Sequence, residues 1–343
     1  MRVPGCPKDL LNGPCGGALN GICEVDGRRC PWVEVVKRLE LLDGASLLME
    51  HPIIVEMEKS TPREVKIKDS EFIKALEKNK AISVEFPLRL FERGVREFEK
   101  RGYLFTIPDN PLGYPHISPT ALATWLKLQG FQVMPHITGK DRNALAIAAE
   151  IRTAIELDFE GVLLTTGDWP GFLLHTKPVF DLDSANMIKL AKLMFSGIMP
   201  TGETLNIKER PFIAATMNPS YSVKLEGKRL ARKVIAGADL IFTQVVANVK
   251  VVRRIPEIIA ESLKYSGREI PVIVSLLYPI TEELEGLLRK MGVETGSKFE
   301  DIVEEVSTLE LGGINLIIFD DSSWEEKLNE ALDLIKESLG GGK

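Results

Sequence analysis

Four cysteines, Cys6, Cys15, Cys23 and Cys30, stand within the first 30 residues, and the remaining 313 carry none. Gaps of eight, seven and six residues separate them, wider than the paired spacing of ordinary zinc modules. In a reducing compartment such thiols read as ligands of zinc or of an iron-sulfur cluster. Disulfides stay open, because glutamine occurs only at Gln129, Gln132 and Gln244 beside plentiful Glu, Lys, Ile and Val, a thermophile's balance. A second set of reactive side chains lies downstream. Glu85 interrupts the apolar run "AISVEF", where an unpaired carboxylate is costly to bury, so it is a candidate acid-base group or a paired structural one. His136 closes "FQVMPH", Asp168 sits in "TTGDWPG", Gln244 ends "DLIFTQ", and Asp320 and Asp321 follow "INLIIF". Taken singly, each has a plain alternative: a core histidine, a turn-shaping aspartate, a strand-end amide, a helix cap.

What places these residues together is a repeated theme of apolar run, turn and helical pattern. The runs fall at 81–86, 102–107, 131–136, 161–166, 211–216, 239–244, 271–276 and 314–319. Continuous rather than alternating apolarity marks parallel strands covered on both faces. Helical spacing fills the intervals, for example "SPTALATWLKLQG", "NALAIAAEIRTAIELD", "KRLARKVIAGA" and "SWEEKLNEALDLIKESLGGG", with further patterns at 91–102, 183–195, 256–267 and 281–292. Eight such units predict a (β/α)8 TIM barrel over residues 69–343, with a doubly wound open sheet as the alternative. Residues 1–50 form a separate small cysteine-rich, metal-binding module ending in an amphipathic helix from residue 32, and 51–68 an extended linker. A module this small needs a metal, or docking on the barrel, to be stable. In such barrels chemistry sits at the carboxyl ends of the strands, where Glu85, His136, Asp168 and Gln244 all fall.

The chain has 343 residues, 44% of them hydrophobic, and a net charge of -6. It lacks a long basic block, which argues against nucleic acid as a partner, and its apolar runs are too short to cross a membrane, so a cytoplasmic location is expected. Neither a Walker loop, a nucleophile elbow nor an H-E-x-x-H motif is present, and the four histidines have no paired spacing.

From residue 81 onward the chain resembles the methylenetetrahydrofolate reductase family of flavin-dependent barrels. The resemblance rests on "VEFP" at Glu85, "IPDNP" with "SPTALA", "PHITGKDRN", "LLTTGDWP", "VFDLDSANMI" and "ARKVIAGADLIFTQ", in that order on consecutive barrel elements. Residues 5–50 resemble the small cysteine-rich module that accompanies some of these reductases as a subunit or fused segment. The resemblance implies Glu85 as the general acid that opens the five-membered ring of methylenetetrahydrofolate, and Asp168 beside the flavin and the developing cation. Gln244 would bind the pterin. His136, Thr138, Thr166 and Gly167 would line the flavin, and Arg232 and Lys233 would meet its ribose and phosphates. Some members carry Arg-Gly-Asp where this chain has Thr166-Gly167-Asp168, and Tyr-Pro-Glu near "TMNPSYS". These departures leave FMN as an alternative to FAD. The electron donor stays open among NAD(P)H, ferredoxin and a partner protein, the carrier between folate and an archaeal pterin, and the assembly between monomer and homo-oligomer. Two other readings remain: a pterin barrel that transfers a methyl or other one-carbon group without redox chemistry, and a subunit whose cysteines dock an electron-transfer partner.

Overall fold

In the computed structural model the residues described are 3–10, 15, 18–39, 50–99, 101–167, 178–290, 292–319 and 322–340. Eight parallel strands close into a barrel: β1 Ala81–Glu85, β2 Leu104–Ile107, β3 Gln132–Thr138, β4 Gly161–Thr165, β5 Phe212–Met217, β6 Leu240–Thr243, β7 Val272–Tyr278 and β8 Gly313–Ile318. Neighbours in sequence pair in space, and β8 returns to β1 with Gly313 opposite Ala81 and Leu316 opposite Val84. Closure removes the sheet edges, so the open doubly wound alternative falls. The apolar runs marked the strands to within two residues at either end, because a strand buried on both faces needs apolar side chains at nearly every position.

The outer layer consists of α1 Leu88–Glu92, α2 Pro119–Leu128, α3 Ala144–Glu156, α4 Ser184–Phe195, α5 Val223–Ala236, α6 Arg254–Ser266, α7 Phe299–Thr308 and α8 Trp324–Gly340. Side-chain caps start several of them: Ser118, Asn143, Asp183 and Ser222 each accept from a backbone N–H in the first turn. At the amino end of the barrel the helix Glu71–Leu76 acts as a plug. Its Phe72 stacks on Phe212 with ring centroids 5.6 Å apart, over a floor that includes Leu104, Met134, Leu163 and Phe242. Side chains alternate in and out along each strand, so these floor residues fix which positions higher up face the interior. Above the floor lies a polar layer: Ser83 Oγ donates to Asn315 Oδ1 at 2.9 Å, and Asn315 Nδ2 donates to Ser275 Oγ at 3.4 Å. The mouth of the barrel opens above that layer.

Three sequence expectations change. The helical pattern at 91–102 stops after Glu92, where Gly94 takes φ +102°. Beyond it Phe98 is drawn as irregular chain into an aromatic cluster, 4.8 Å from Phe86 and 6.1 Å from Trp324. The pattern at 281–292 does form a helix over Glu282–Lys290, but α7, with Phe299, Ile302, Val303 and Val306 buried, precedes β8 and packs beside α8. Nor is the linker at 51–68 simply extended. Pro52–Met57 is a helix capped by His51, its Ile54 and Met57 are buried in the main core, and Lys66–Ile67 pairs with Glu209–Arg210. Proline at the first helical position and apolar side chains three apart explain that helix. The segment is thereby packed onto the barrel as part of it. In the amino-terminal module the helix begins at Pro31 and is described as far as Leu39.

Candidate active site

Glu85 ends β1 and, two positions beyond the inward-facing Ser83, points into the barrel mouth. The polar layer beneath it is bonded within itself, and among the described residues no hydrogen-bond partner meets the Glu85 carboxyl. Burial is therefore unopposed and pushes its pKa from the ordinary 4.5 up to about 7. A carboxyl that is half protonated near neutrality can deliver a proton and take it back.

His136 faces the same space from β3. Its Nε2 is buried and has no hydrogen-bond partner among the described residues. Burial pushes the imidazole down to about 4, against an opposing pull from Asp109, so the ring is neutral at physiological pH. A buried polar atom without a partner is costly, and a bound ligand is one way to satisfy it. The neighbouring threonines behave differently. Thr138 spends its hydroxyl on Asp109 Oδ2 at 2.6 Å, where Arg142 Nη1 also donates at 2.5 Å. Thr166 Oγ1 accepts from Ser184 N–H at 3.2 Å, at the start of α4. Both hydroxyls hold loops in place, and what they leave for a ligand is backbone. Gly167, at φ +81°, lies so close to β3 that a Cβ there would stand 2.9 Å from Thr138 Cβ. Asp168 lies outside the described residues, as do Asp320 and Asp321.

On α5 the residues Glu226, Arg229 and Lys233 recur on one face, with Glu226 and Lys233 buried and Arg229 half-buried between them. Arg229 pairs with Glu226 at 2.5 Å, and Glu226 also accepts from Asn218 N–H at 2.8 Å. Lys233 reaches back along the helix to donate to the Thr216 carbonyl at the top of β5. Burial, aided by the adjacent Arg229, pushes the Lys233 ammonium down to about 7 and the Arg232 guanidinium down to about 10. Buried cations that destabilise one another form a ready seat for an anionic group. Gln244, one residue past β6, is exposed at the rim, and its backbone N–H donates to Met217 O at 2.7 Å.

The four cysteines converge although the sequence spreads them out. A tight turn at Asn20–Gly21, both residues at positive φ, pairs Ala18 with Cys23, and Cys30 N–H then returns to Gly21 O at 2.8 Å. Cys6, Cys15, Cys23 and Cys30 line one cavity of about 20 Å³, roughly the space one water requires. Among the described residues no three His, Cys, Asp or Glu side chains stand in ligand geometry, so the sulfurs share a pocket without forming a closed coordination shell. The module rests on the barrel, with Leu225 of α5 packed against its apolar cluster and Lys8 donating to Gly167 O at 3.4 Å.

Sequence reasoning missed Lys8, the Asp109–Arg142 buttress and the Glu226–Arg229 pair. A usable signal existed for the last, since charges at 226, 229 and 233 occupy the spacing normally held by an apolar stripe.

The family model described as methylenetetrahydrofolate reductase matches residues 106–304, more than half of the chain. The chain belongs to that family. A second model, described as methylene-tetrahydrofolate reductase C terminal, matches residues 2–58, which hold all four cysteines. No curated protein matches the chain in sequence. Among solved structures, an uncharacterized protein from Clostridium thermocellum that binds two copies of 5-methyl-5,6,7,8-tetrahydrofolic acid is 14% identical. The match covers 77% of this chain and 97% of that one, with a TM-score of 0.49. Ligand-free tryptophan synthase from M. tuberculosis is also 14% identical, covering 79% and 96%, with a TM-score of 0.43. Both are too distant to bear on function. Among the described residues no helix of this reductase-family chain is long and apolar enough to cross a membrane.

Proposed function

We propose that the chain is a flavin-dependent reductase that converts 5,10-methylenetetrahydrofolate, or a related methylene-pterin, to the 5-methyl form. Glu85 is the observation that carries the reading: an unpaired carboxyl at the mouth of a reductase-family barrel, with its pKa raised to about 7 by burial. Its proton goes to the bridged pterin nitrogen, which breaks the carbon-nitrogen bond of the five-membered ring and leaves an iminium. When bound, flavin, FAD or FMN, would supply the hydride needed at the iminium carbon to give the methyl group.

The chain's other residues hold the parts in place. His136 would offer the flavin its buried Nε2, which has no partner among the described residues, and Gly167 would let the backbone come close, as a side chain could not. Arg232 and Lys233 take the phosphate, whose negative charge relieves the strain among these buried cations. Thr138 and Thr166 act through the loops they tie down. Asp168, outside the described residues, would supply a negative charge favourable to the developing cation. At the rim, Gln244 offers the pterin both a donor and an acceptor. The four sulfurs of the amino-terminal pocket would take a zinc ion, which the water-sized cavity admits, or an iron-sulfur cluster, for which the pocket would have to open; their convergence on one cavity supports a shared ligand.

Anaerobic purification followed by absorption spectroscopy and metal analysis tests the reading. A yellow protein, or apoprotein that takes up FMN or FAD stoichiometrically, is expected. A protein that stays colourless after incubation with either flavin rules the reading out.

A further inference from the structure

One side chain joins the amino-terminal module to the barrel in a way that the chemistry above does not use. Lys8 is only 4% exposed, although it belongs to a surface module. Its ammonium pairs with Glu24 of the same module and interacts with the Cys15 sulfur. The other side of the ammonium faces the barrel: it donates to Gly167 O at 3.4 Å and lies 5.0 Å from the centre of the Phe180 ring. Gly167 and Phe180 are the two feet of the connection from β4 to α4, the segment that carries Asp168. Both feet have positive φ, +81° and +46°, and the second is held to β3 through Phe180 N–H on Gly139 O at 3.1 Å.

We propose that Lys8 is a positioning residue that clasps Gly167 and Phe180, so that the cysteine module sets the backbone at these two positions, just past β4 and just ahead of α4. A buried ammonium needs several partners, and here half of them come from each body. Loss of the ammonium removes its contacts with Gly167 O and with the Phe180 ring together. With Cys15 beside the same ammonium, a change at the thiols reaches the barrel through Lys8. The effect on cofactor rests on the flavin reading, whereas the clasp itself does not.

Hydrogen exchange of the full chain, read by mass spectrometry on peptides covering 161–182, tests the clasp with or without flavin. Lys8→Met is expected to speed exchange there about tenfold, as the loss of a charge-assisted contact allows, while peptides from β5 and β6 keep their rates. Lys8→Arg, which keeps the charge, restores most of the protection. Where the wild type holds flavin, Lys8→Met also shifts the flavin midpoint potential and Lys8→Arg returns it, a response that a merely structural contact would not give. Should Lys8→Met fail to fold, Glu24→Gln removes the opposing carboxylate and is expected to loosen the same peptides to a smaller extent. Unchanged exchange over 161–182 in the folded variants overturns the proposal. A wild type that takes up no flavin overturns the flavin reading alone, and the exchange rates still decide the clasp.

Discussion

Glu85→Gln separates the cost of burying a charge at the barrel mouth from everything else about that position. The folded-state pKa of Glu85, about 7, stands above the ordinary 4.5, a gap of about 2.5 pH units. At about 1.4 kcal/mol per unit the gap amounts to roughly 3 kcal/mol, and solvent at the mouth screens part of it, leaving about 2 kcal/mol. The sign follows from proton linkage. Below pH 4.5 the carboxyl is protonated in both folded and unfolded chains and contributes nothing; between 4.5 and about 7 the unfolded chain gives up its proton first, so native stability falls as pH rises; above 7 the loss is complete. Glutamine has no such titration. The stability of Glu85→Gln relative to wild type, measured by guanidinium unfolding at a series of pH values, is therefore expected to climb by about 2 kcal/mol between pH 4.5 and 8 and then level off. Any constant offset from swapping carboxyl for amide cancels in this comparison. A difference that stays flat across that range would mean the carboxyl is ionised and solvated, and the argument for Glu85 as a proton donor would fail with it.

Gly167→Ala forces a Cβ to within 2.9 Å of Thr138 Cβ at a φ of +81°, so a loss of about 1–3 kcal/mol in chemical unfolding is expected, and wild-type stability would contradict the close approach. Phe72→Ala empties the plug beneath the barrel floor and should cost about 3–5 kcal/mol by the same assay, while leaving the pH dependence assigned to Glu85 intact. Isothermal titration of apoprotein should show FMN binding at least tenfold more tightly than riboflavin, which lacks the phosphate, with Lys233→Met losing most of that preference. Equal affinities in the wild type would remove Lys233 from a phosphate site.

The barrel was legible because its strands are apolar on both faces, the pattern of parallel sheets covered by helices, and the count of eight favoured closure over the open sheet that the structure rules out. Glu85 and His136 were legible for the converse reason: a polar residue inside such a run has no solvent to face. Helix α7 was missed because "FEDIVEEV" lies close behind a stronger helical pattern, although its apolar residues at 299, 302, 303 and 306 keep the helical period. The partners that spend Thr138 and Thr166, and the Lys8 contact to Gly167, join residues far apart in the chain, and no local pattern encodes them. The cysteine pocket was legible as a cluster but not as a geometry, since its convergence depends on a hairpin turn of only two residues.

Under the proposed function, Glu85 supplies the proton for reduction of a methylene-pterin. Mixing flavin-loaded, pre-reduced protein with 5,10-methylenetetrahydrofolate without oxygen, and following flavin absorbance in a stopped-flow instrument, tests it most directly. Wild type is expected to regain the oxidised spectrum with formation of 5-methyltetrahydrofolate, and Glu85→Gln to bind and retain reduced flavin but regain that spectrum at least a hundredfold more slowly. Equal rates in the two proteins would contradict the account.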